Sequence, residues 1–240
     1  ALMRQSDGSF VPTAQYYASR AYDSLGREER WSFEHLIQEV HEAVEQQWED
    51  QGRKLLGFMK DSTGMVVCAE DLGSIPDCVP RVLGELGILG LKICRWARDW
   101  NAPGQPYYRV ADYPELSVCT PSVHDTSTLR QWWEEERDRR GFLLSLGLDP
   151  VSDDGPYSPD QARKVLGALM TTRSRLCIVA LQDWFALDSG LKTEDPAGER
   201  VNTPGTVGGM NWAWRMKPYL EDLAGRTAFT AQVRGLTDTR

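Results

Sequence analysis

The sequence contains no long apolar segment. Its longest apolar runs, such as residues 65–69 and 86–91, are far shorter than the roughly 20 residues that a helix needs to span a bilayer. The first ten residues also lack a basic region followed by an apolar stretch, which is the pattern of a secretory signal. These absences predict a protein without a membrane partner.

An excess of basic charge is also lacking. Lys and Arg number 27 against 35 Asp and Glu, which gives a net charge of −8. Such a surface repels phosphates, so we expect neither nucleic acid nor an anionic membrane as a partner. A neutral ligand such as a sugar meets no such repulsion.

The five cysteines include no Cys-x-x-Cys pair, and four of them lie in apolar, strand-like runs. An odd number of buried thiols is typical of reduced cysteines in the cytoplasm, which is the expected location. His35 and His41 are six positions apart on a predicted helix, and no His-Glu-x-x-His motif occurs. We therefore expect no metal ion and no organic cofactor.

Residues 1–60 read as mainly helical and polar, without strands. Leu36, Val40 and Val44 repeat every four residues within the stretch 31–48, as on one face of a helix. The sequence therefore predicts a helical insertion or connecting segment over residues 1–60.

Residues 61–240 have a different pattern, in which short apolar runs alternate with amphipathic stretches. This alternation predicts an α/β domain with a parallel sheet covered on both faces. Only four strands fit, whereas a (β/α)8 barrel usually needs about 250 residues, so the domain resembles half a barrel. The strands are predicted at 65–69, 91–94, 116–120 and 177–181, and the helices at 79–86, 127–139 and 159–173.

A polar pair follows each predicted strand. Parallel strands bring their carboxyl ends to one edge, which is where (β/α) barrels carry out catalysis. The pairs are Glu70-Asp71, Arg95-Trp96, His124-Asp125 and Gln182-Asp183.

Glu70 and Asp125 lie on alternate strand ends. Cleavage of a glycosidic bond needs an acid that protonates the leaving oxygen, and negative charge that stabilises an oxocarbenium-like transition state. The alternative interpretation is that Glu70 belongs only to a turn and cap that ends at Gly73. Both interpretations are open on spacing alone.

Nine tryptophans are many for this length. We expect most of them in the core, because Trp is a large apolar residue, and a few against sugar rings. Trp96 and Trp214 are the candidates for sugar contacts because they lie next to the motifs.

The motifs in their order resemble the amylomaltase or disproportionating-enzyme family of 4-alpha-glucanotransferases. The resemblance runs from about residue 64 to residue 224, and it is specific because the whole ordered set is present. The matching stretches are Cys68-Ala-Glu-Asp-Leu-Gly73, Leu116-Ser-Val-Cys-Thr-Pro-Ser-Val-His-Asp-Thr-Ser-Thr-Leu-Arg130, Trp132-Trp-Glu-Glu135, Leu181-Gln-Asp183, Asn202-Thr-Pro-Gly205 and Asn211-Trp-Ala-Trp-Arg215.

The resemblance implies a role for each matching residue. Glu70 would be the general acid/base at the end of the fifth barrel strand, and Asp125 the stabilising aspartate after the seventh. His124 would bind the sugar at the cleavage point. The chain would then be a partial (β/α)8 barrel of about strands five to eight, preceded by a helical segment. The further substrate-binding candidates are Asp71, Arg95, Trp96, Gln182, Asp183, Asn202, Asn211 and Trp214.

One family feature is missing. The nucleophile of this family is an aspartate in an Arg-x-Asp-His setting, and no Arg-x-Asp occurs here. The resemblance therefore implies a fragment of a retaining enzyme that acts on α-1,4-glucans (maltooligosaccharides, starch or glycogen) and needs a missing N-terminal part. The alternatives are an α-glucan hydrolase, which uses the same carboxylates, and an inactive glucan-binding remnant.

Overall fold

The computed structural model describes residues 2–13, 15–73, 75–100, 102–135, 138–150 and 155–240. The chain forms two compact units. The first, called here the helical unit, comprises Ala1–Gly64 and Gly73–Leu86. The second, called the sheet unit, comprises Met65–Leu72 and Gly87–Arg240. Among the described residues, no helix combines the length and the apolar character that a membrane span requires.

The helical unit begins with a hairpin of two short antiparallel strands, β1 (Leu2–Arg4) and β2 (Phe10–Pro12). Its turn is closed by Asp7, whose carboxylate accepts a hydrogen bond from Ser9 N at 2.9 Å. Gly8 supplies the positive φ of 88° that this turn requires. The expectation that residues 1–60 contain no strand was therefore wrong, because strands of three residues carry too little alternation to be read.

The rest of the helical unit consists of α1 (Arg20–Asp23), α2 (Arg27–Asp61) and α3 (Cys78–Leu86). Helix α2 is longer than the predicted stretch 31–48, and Glu29 caps its start by accepting from Gly26 N at 2.7 Å. Glu49 is buried and pairs with both Arg53 and Arg81. Because Arg81 belongs to α3, this carboxylate ties the two helices together.

The sheet unit contains four parallel strands in the order β3-β4-β5-β6. Hydrogen bonding aligns Ala69 with Gly90, Gly90 with Ser117, and Cys119 with Cys177. Within the described part of the chain, β3 and β6 pair on one side only, so each is an edge strand. The strands are β3 (Cys68–Ala69), β4 (Leu89–Ile93), β5 (Ser117–Thr120) and β6 (Leu176–Cys177).

Two strands are shorter than the sequence predicts. Strand β3 is predicted over 65–69 but begins only at Cys68 and ends, as predicted, at Ala69; beyond it the Asp71 carboxylate, rather than a strand carbonyl, accepts from Leu91 N at 2.5 Å. Strand β6 was predicted over 177–181, but it ends at Cys177, and Ala180 already precedes the helix α7 (Leu181–Phe185). The predicted residues beyond β6 therefore lie on a helix.

The helices of the sheet unit bury its core. Helix α6 (Pro159–Met170) is capped by Ser158, whose hydroxyl accepts from Gln161 N at 3.2 Å, which confirms the predicted helix start. The single helix predicted over 127–139 is instead two helices, because Asp138 caps a new helix by accepting from Gly141 N at 3.0 Å. The other helices of this unit are α4 (Leu129–Glu135), α5 (Arg139–Ser145), α8 (Leu220–Ala224) and α9 (Thr227–Thr237).

The tryptophans depart from expectation. Trp133 is fully buried, and three others are half-buried against the core: Trp132, Trp184 and Trp214. The remaining five are exposed, so the prediction that most of the nine lie in the core was wrong. An exposed indole forgoes the roughly 1.5–3 kcal/mol that full burial of a large apolar side chain contributes. Such residues are therefore candidates for ligand contacts, and the five are Trp31, Trp48, Trp96, Trp100 and Trp212.

Candidate active site

The two predicted catalytic carboxylates follow two strands of the same parallel sheet. Glu70 comes directly after β3 and is exposed. Asp125 follows β5, and its side chain is 40% exposed. Since β3 and β5 flank β4, their axes lie roughly 10 Å apart. Both carboxylates are therefore open to solvent at the carboxyl edge of the sheet.

Asp125 is held from both sides. Asn202 Nδ2 donates to Asp125 Oδ1 at 2.5 Å, and His124 Nε2 lies 3.4 Å from Asp125 Oδ2. The backbone N–H of Asn202 also donates to the His124 carbonyl at 3.1 Å. Asn202 thus contacts both residues of the pair, and the structure brings three predicted site residues together.

Asn211 braces the loop of residues 201–212, called here the 201–212 loop. Its side-chain oxygen accepts from Thr203 N at 3.1 Å, and its Nδ2 donates to the carbonyl and the hydroxyl of Thr206, both at 3.1 Å. All the hydrogen bonds of this amide that the structure shows are internal to the loop. The Asn211 side chain therefore shapes the loop that carries Asn202.

Trp212, which the sequence analysis did not select, lies beside His124. The two ring centres are 4.9 Å apart with a 40° tilt, and the indole is exposed. Trp214, the predicted sugar contact, is instead half-buried and packs against the core. Its indole therefore has a packing role. Motif proximity could not distinguish the two residues, because the difference depends on the backbone angles of the loop.

A cavity of about 200 Å³ lies between the end of β5, the start of α7 and the first residues of the 201–212 loop. His124 and Gln182, two predicted binding residues, line it. The Gln182 side chain is mostly buried, and its Nε2 donates to the Glu199 carbonyl at 3.4 Å. The full lining is Ser122, Val123, His124, Thr126, Thr128, Ala180, Gln182, Glu199 and Val201.

Asp71 is a structural residue rather than an open ligand contact. Its side chain is 8% exposed; Oδ1 accepts from Leu91 N, and Oδ2 lies 3.5 Å from Lys92 Nζ. The carboxylate therefore joins the segment after β3 to the middle of β4. The prediction of substrate binding at Asp71 does not fit this position, which instead fixes the backbone next to Glu70.

Arg95 is also enclosed, whereas its neighbour Trp96 is 44% exposed. The Arg95 guanidinium donates to the Ser127 hydroxyl at 3.1 Å, to the Ser127 carbonyl and to the Thr128 carbonyl at 3.4 Å. Burial lowers the pKa of this guanidinium. The predicted sugar contact at Arg95 is corrected to a support for the segment after Asp125, and Trp96 stays a predicted contact.

Asp183 is buried beneath the site, with 1% of its surface exposed. Its carboxylate accepts from Leu129 N, at the start of α4, at 2.7 Å and from the Ser122 hydroxyl. Burial raises the pKa of this carboxyl, opposed by these two hydrogen bonds and by the charge of Arg95. No sugar can reach Asp183, so the predicted contact is wrong; the residue caps α4.

Arg130 and Glu199 form a buried ion pair that the sequence analysis missed. Arg130 NH2 lies 3.3 Å from Glu199 Oε1, and each side chain is 5% exposed. The same oxygen accepts from Thr193 N at 3.1 Å. This pair joins α4 to the turn that immediately precedes the 201–212 loop. No sequence motif marks it, because its partners are far apart in the chain.

Within the described ranges, no group of three or more His, Cys, Asp or Glu side chains is arranged to hold a metal ion. The site chemistry of these residues rests on carboxylates, one imidazole, one amide and exposed aromatic rings. Such a set can donate and accept protons and hydrogen bonds at a sugar ring.

Comparisons with known proteins identify the family. The family model of the 4-alpha-glucanotransferases matches residues 14–221. A 4-alpha-glucanotransferase of Chlamydia muridarum is 34% identical over 192 residues, which cover 78% of this chain and 35% of that protein. The 4-alpha-glucanotransferase DPE2 of Oryza sativa subsp. japonica is 34% identical over 192 residues, which cover 79% of this chain and 20% of that protein.

A solved structure of the same family also resembles this chain. The amylomaltase from Streptococcus agalactiae, in complex with acarbose, superposes with a TM-score of 0.55 at 25% identity, over 78% of this chain and 34% of that one. The chain therefore belongs to the 4-alpha-glucanotransferase family, and the resemblance seen in its motifs is confirmed. It spans about a third of the length of the first curated relatives that it matches.

Proposed function

We propose that this chain forms part of a 4-alpha-glucanotransferase that transfers α-1,4-glucan segments between maltooligosaccharides, starch or glycogen by a retaining double displacement. The main support is the placement of Glu70 and of the Asp125–His124–Asn202 cluster at the carboxyl edge of one parallel sheet. Family membership supports the substrate class, and acarbose in the streptococcal amylomaltase agrees with it.

In the proposed reaction, Glu70 protonates the glycosidic oxygen of the departing chain. It then removes the proton from the hydroxyl of an acceptor glucan. The oxygen of that hydroxyl, in place of water, attacks the covalent intermediate and displaces the nucleophile, which lies outside this chain. Asp125 supplies negative charge to the oxocarbenium-like transition state, and His124 donates a hydrogen bond to the same sugar. The exposed side of each group leaves room for the substrate.

The proposed active form includes protein outside this chain. The sequence has no Arg-x-Asp, so the nucleophile that the resemblance implies is absent from it. The strands β3 to β6 would correspond to strands five to eight of a (β/α)8 barrel, and further strands would pair with the edges β3 and β6. The partner is then an N-terminal part of the same enzyme. Reduced cysteines favour the cytoplasm as its location.

The test is incubation of a full-length protein carrying this chain with maltotriose. The expected products are longer maltooligosaccharides together with shorter ones. Production of glucose and maltose alone would show a hydrolase instead. Glu70→Gln and Asp125→Asn should each abolish both product classes, and Glu42→Gln, at an exposed position of α2 outside the matching motifs, is the matched control.

The chain of residues 1–240 alone should show no disproportionation, because it has no nucleophile. Turnover by a purified and verified sample of the chain would contradict this proposal. Binding of maltotetraose without turnover would agree with it. If the chain does not bind maltotetraose and the longer protein shows no turnover, the result favours an inactive remnant.

A further inference from the structure

Trp212 combines three unusual features: a strained backbone, an exposed indole and a position beside the predicted catalytic pair. We propose that Trp212 is a sugar-stacking residue that holds a glucan ring against His124 and Asp125, and that the 201–212 loop is built to present its indole. This inference rests on the proposed function, since it takes a glucan as the ligand. Trp212 lies within the matching stretch Asn211-Trp-Ala-Trp-Arg215, but neither the resemblance nor the comparisons give it a ligand.

The backbone of Trp212 has a φ of 60°, in the left-handed region that favours glycine. A bulky residue there is a genuine outlier, and such strain is concentrated at functional sites. Within the described residues, the other non-glycine positions with positive φ are Gln15 and Gln105, which are polar. Trp212 gains little from its own burial, because 66% of it is exposed. Folding alone therefore does not explain an indole at this position.

The loop fixes this conformation. The backbone N–H of Trp212 donates to the Val201 carbonyl at 2.7 Å, and this hydrogen bond closes the loop at its two ends. The Asn211 side chain braces the interior, and Asn202 attaches the loop to Asp125 and to the His124 carbonyl. These hydrogen bonds fix the backbone of Trp212, and its indole lies 4.9 Å from the His124 ring.

The chemistry around the indole selects the class of ligand. An indole face offers a flat apolar surface, while the adjacent carboxylate, imidazole and amide offer hydrogen bonds. The charge of Asp125 disfavours a phosphate or a carboxylate ligand. A purely apolar ligand would leave the polar groups unpaired. A neutral polyhydroxylated ring fits both surfaces, because its apolar face can pack on the indole and its rim hydroxyls can pair with the polar groups.

The experiment titrates a full-length protein that carries this chain, with Glu70→Gln to prevent turnover, with maltotetraose and follows affinity by calorimetry. Trp212→Gly removes the indole but places glycine where φ is positive, so the urea midpoint should not fall. The dissociation constant should rise about 10-fold. Trp212→Phe, which keeps an aromatic face, should recover most of the affinity. Trp100→Gly, at another exposed tryptophan of the sheet unit, is the control and should bind as the wild type does.

The outcomes separate the two proposals. Wild-type binding that Trp212→Gly leaves unchanged would overturn the stacking role and leave the proposed function standing. No binding by the full-length protein with Trp212 intact, up to the solubility limit of maltotetraose, would contradict both. A lower urea midpoint for Trp212→Gly would contradict the strain on which the inference depends. Protection of Trp212 from oxidative footprinting by bound maltotetraose would support it directly.

Discussion

The side-chain amide of Asn202 donates a 2.5 Å hydrogen bond to the carboxylate of Asp125, 77 positions earlier in the sequence. Because His124 lies 3.4 Å from the other carboxylate oxygen, both oxygens of Asp125 have a neighbour. In the proposed reaction, an aspartate held in this way would need no reorientation when positive charge develops on the sugar, and such preorganisation is a main source of catalytic stabilisation.

Asn202→Ala should therefore lower the kcat of maltotriose disproportionation in the full-length protein. A hydrogen bond to a charged group contributes about 1.5–3 kcal/mol, so the expected loss is roughly 10- to 100-fold. KM should change less, because the amide acts on the orientation of Asp125. Gln46→Ala is the matched control: it removes an exposed amide–carboxylate hydrogen bond of 3.1 Å to Asp50 on α2. Equal losses for both variants would contradict a positioning role.

Gly90→Ala should displace Asp71. A Cβ at Gly90 would lie 2.9 Å from Asp71 Oδ2, too close for an unperturbed carboxylate. The variant should lose about 1–3 kcal/mol in the free energy of unfolding. It should also lose transferase activity, because the segment that carries Glu70 would shift. Urea denaturation and the maltotriose assay measure the two effects.

Gly84→Ala is the matched control for that variant. A Cβ at Gly84, within helix α3, meets no atom within 4 Å. Alanine is the better helix former, so this substitution should raise stability by about 0.5–1 kcal/mol. A Gly90→Ala variant as stable as the control would show that Asp71 does not anchor β4.

Asp183→Asn should change how stability depends on pH. Burial raises the pKa of the Asp183 carboxyl above its ordinary value of 3.8. A raised folded pKa means that the folded state binds the proton more tightly. The stabilisation of the folded state by the protonated Asp183 carboxyl is therefore complete below pH 3.8. It is lost as the pH rises from there through the folded pKa. The neutral variant lacks this loss, so its stability relative to wild type should increase with pH across that window.

Urea denaturation over a pH series, followed by far-UV circular dichroism, measures this difference. Parallel curves for variant and wild type would contradict it. Asp183→Ala should behave differently, because it leaves Leu129 N without its acceptor and removes the charge that faces Arg95. That variant should lose stability at every pH, by about 1–3 kcal/mol, because the buried donors of Leu129 N and Ser122 lose their acceptor.

The position of Glu70 and Asp125 at one edge of the sheet could be predicted because its signal is local. Glu70 and the His124-Asp125 pair each follow an apolar run by a few residues, and parallel strands place such positions at one edge. Helix α6 was predictable for the same reason, since Ser158 and Pro159 mark its start directly. Features determined by a few adjacent residues could therefore be predicted from the sequence.

Features that depend on partners far away in the sequence could not be predicted from it. Asp183 was taken for a rim residue because the apolar run to Leu181 hides the early end of β6 at Cys177. Arg95 was expected to face a sugar, but Ser127 encloses it from a later segment. Trp212 is exposed and Trp214 packs against the core, and the backbone of Trp212 has a positive φ that no composition or periodicity encodes.

The buried pair of Arg130 and Glu199 tests how the 201–212 loop is supported. Glu199→Gln keeps the shape but leaves the Arg130 charge buried without its counterion. This should cost about 3–5 kcal/mol in the free energy of unfolding. The exposed pair of Arg109 and Asp112, 3.9 Å apart, provides the control, because Asp112→Asn should change stability little.

The double variant Arg130→Met with Glu199→Gln removes the unpaired charge as well. It should be more stable than Glu199→Gln alone, because the larger part of the penalty belongs to the uncompensated guanidinium. Strictly additive losses in the double variant would show that the two side chains do not act as a pair. If stability recovers and maltotetraose affinity recovers with it, the pair acts on the site by holding the 201–212 loop in place. If stability recovers without affinity, the carboxylate of Glu199 itself shapes the cavity that His124 and Gln182 line.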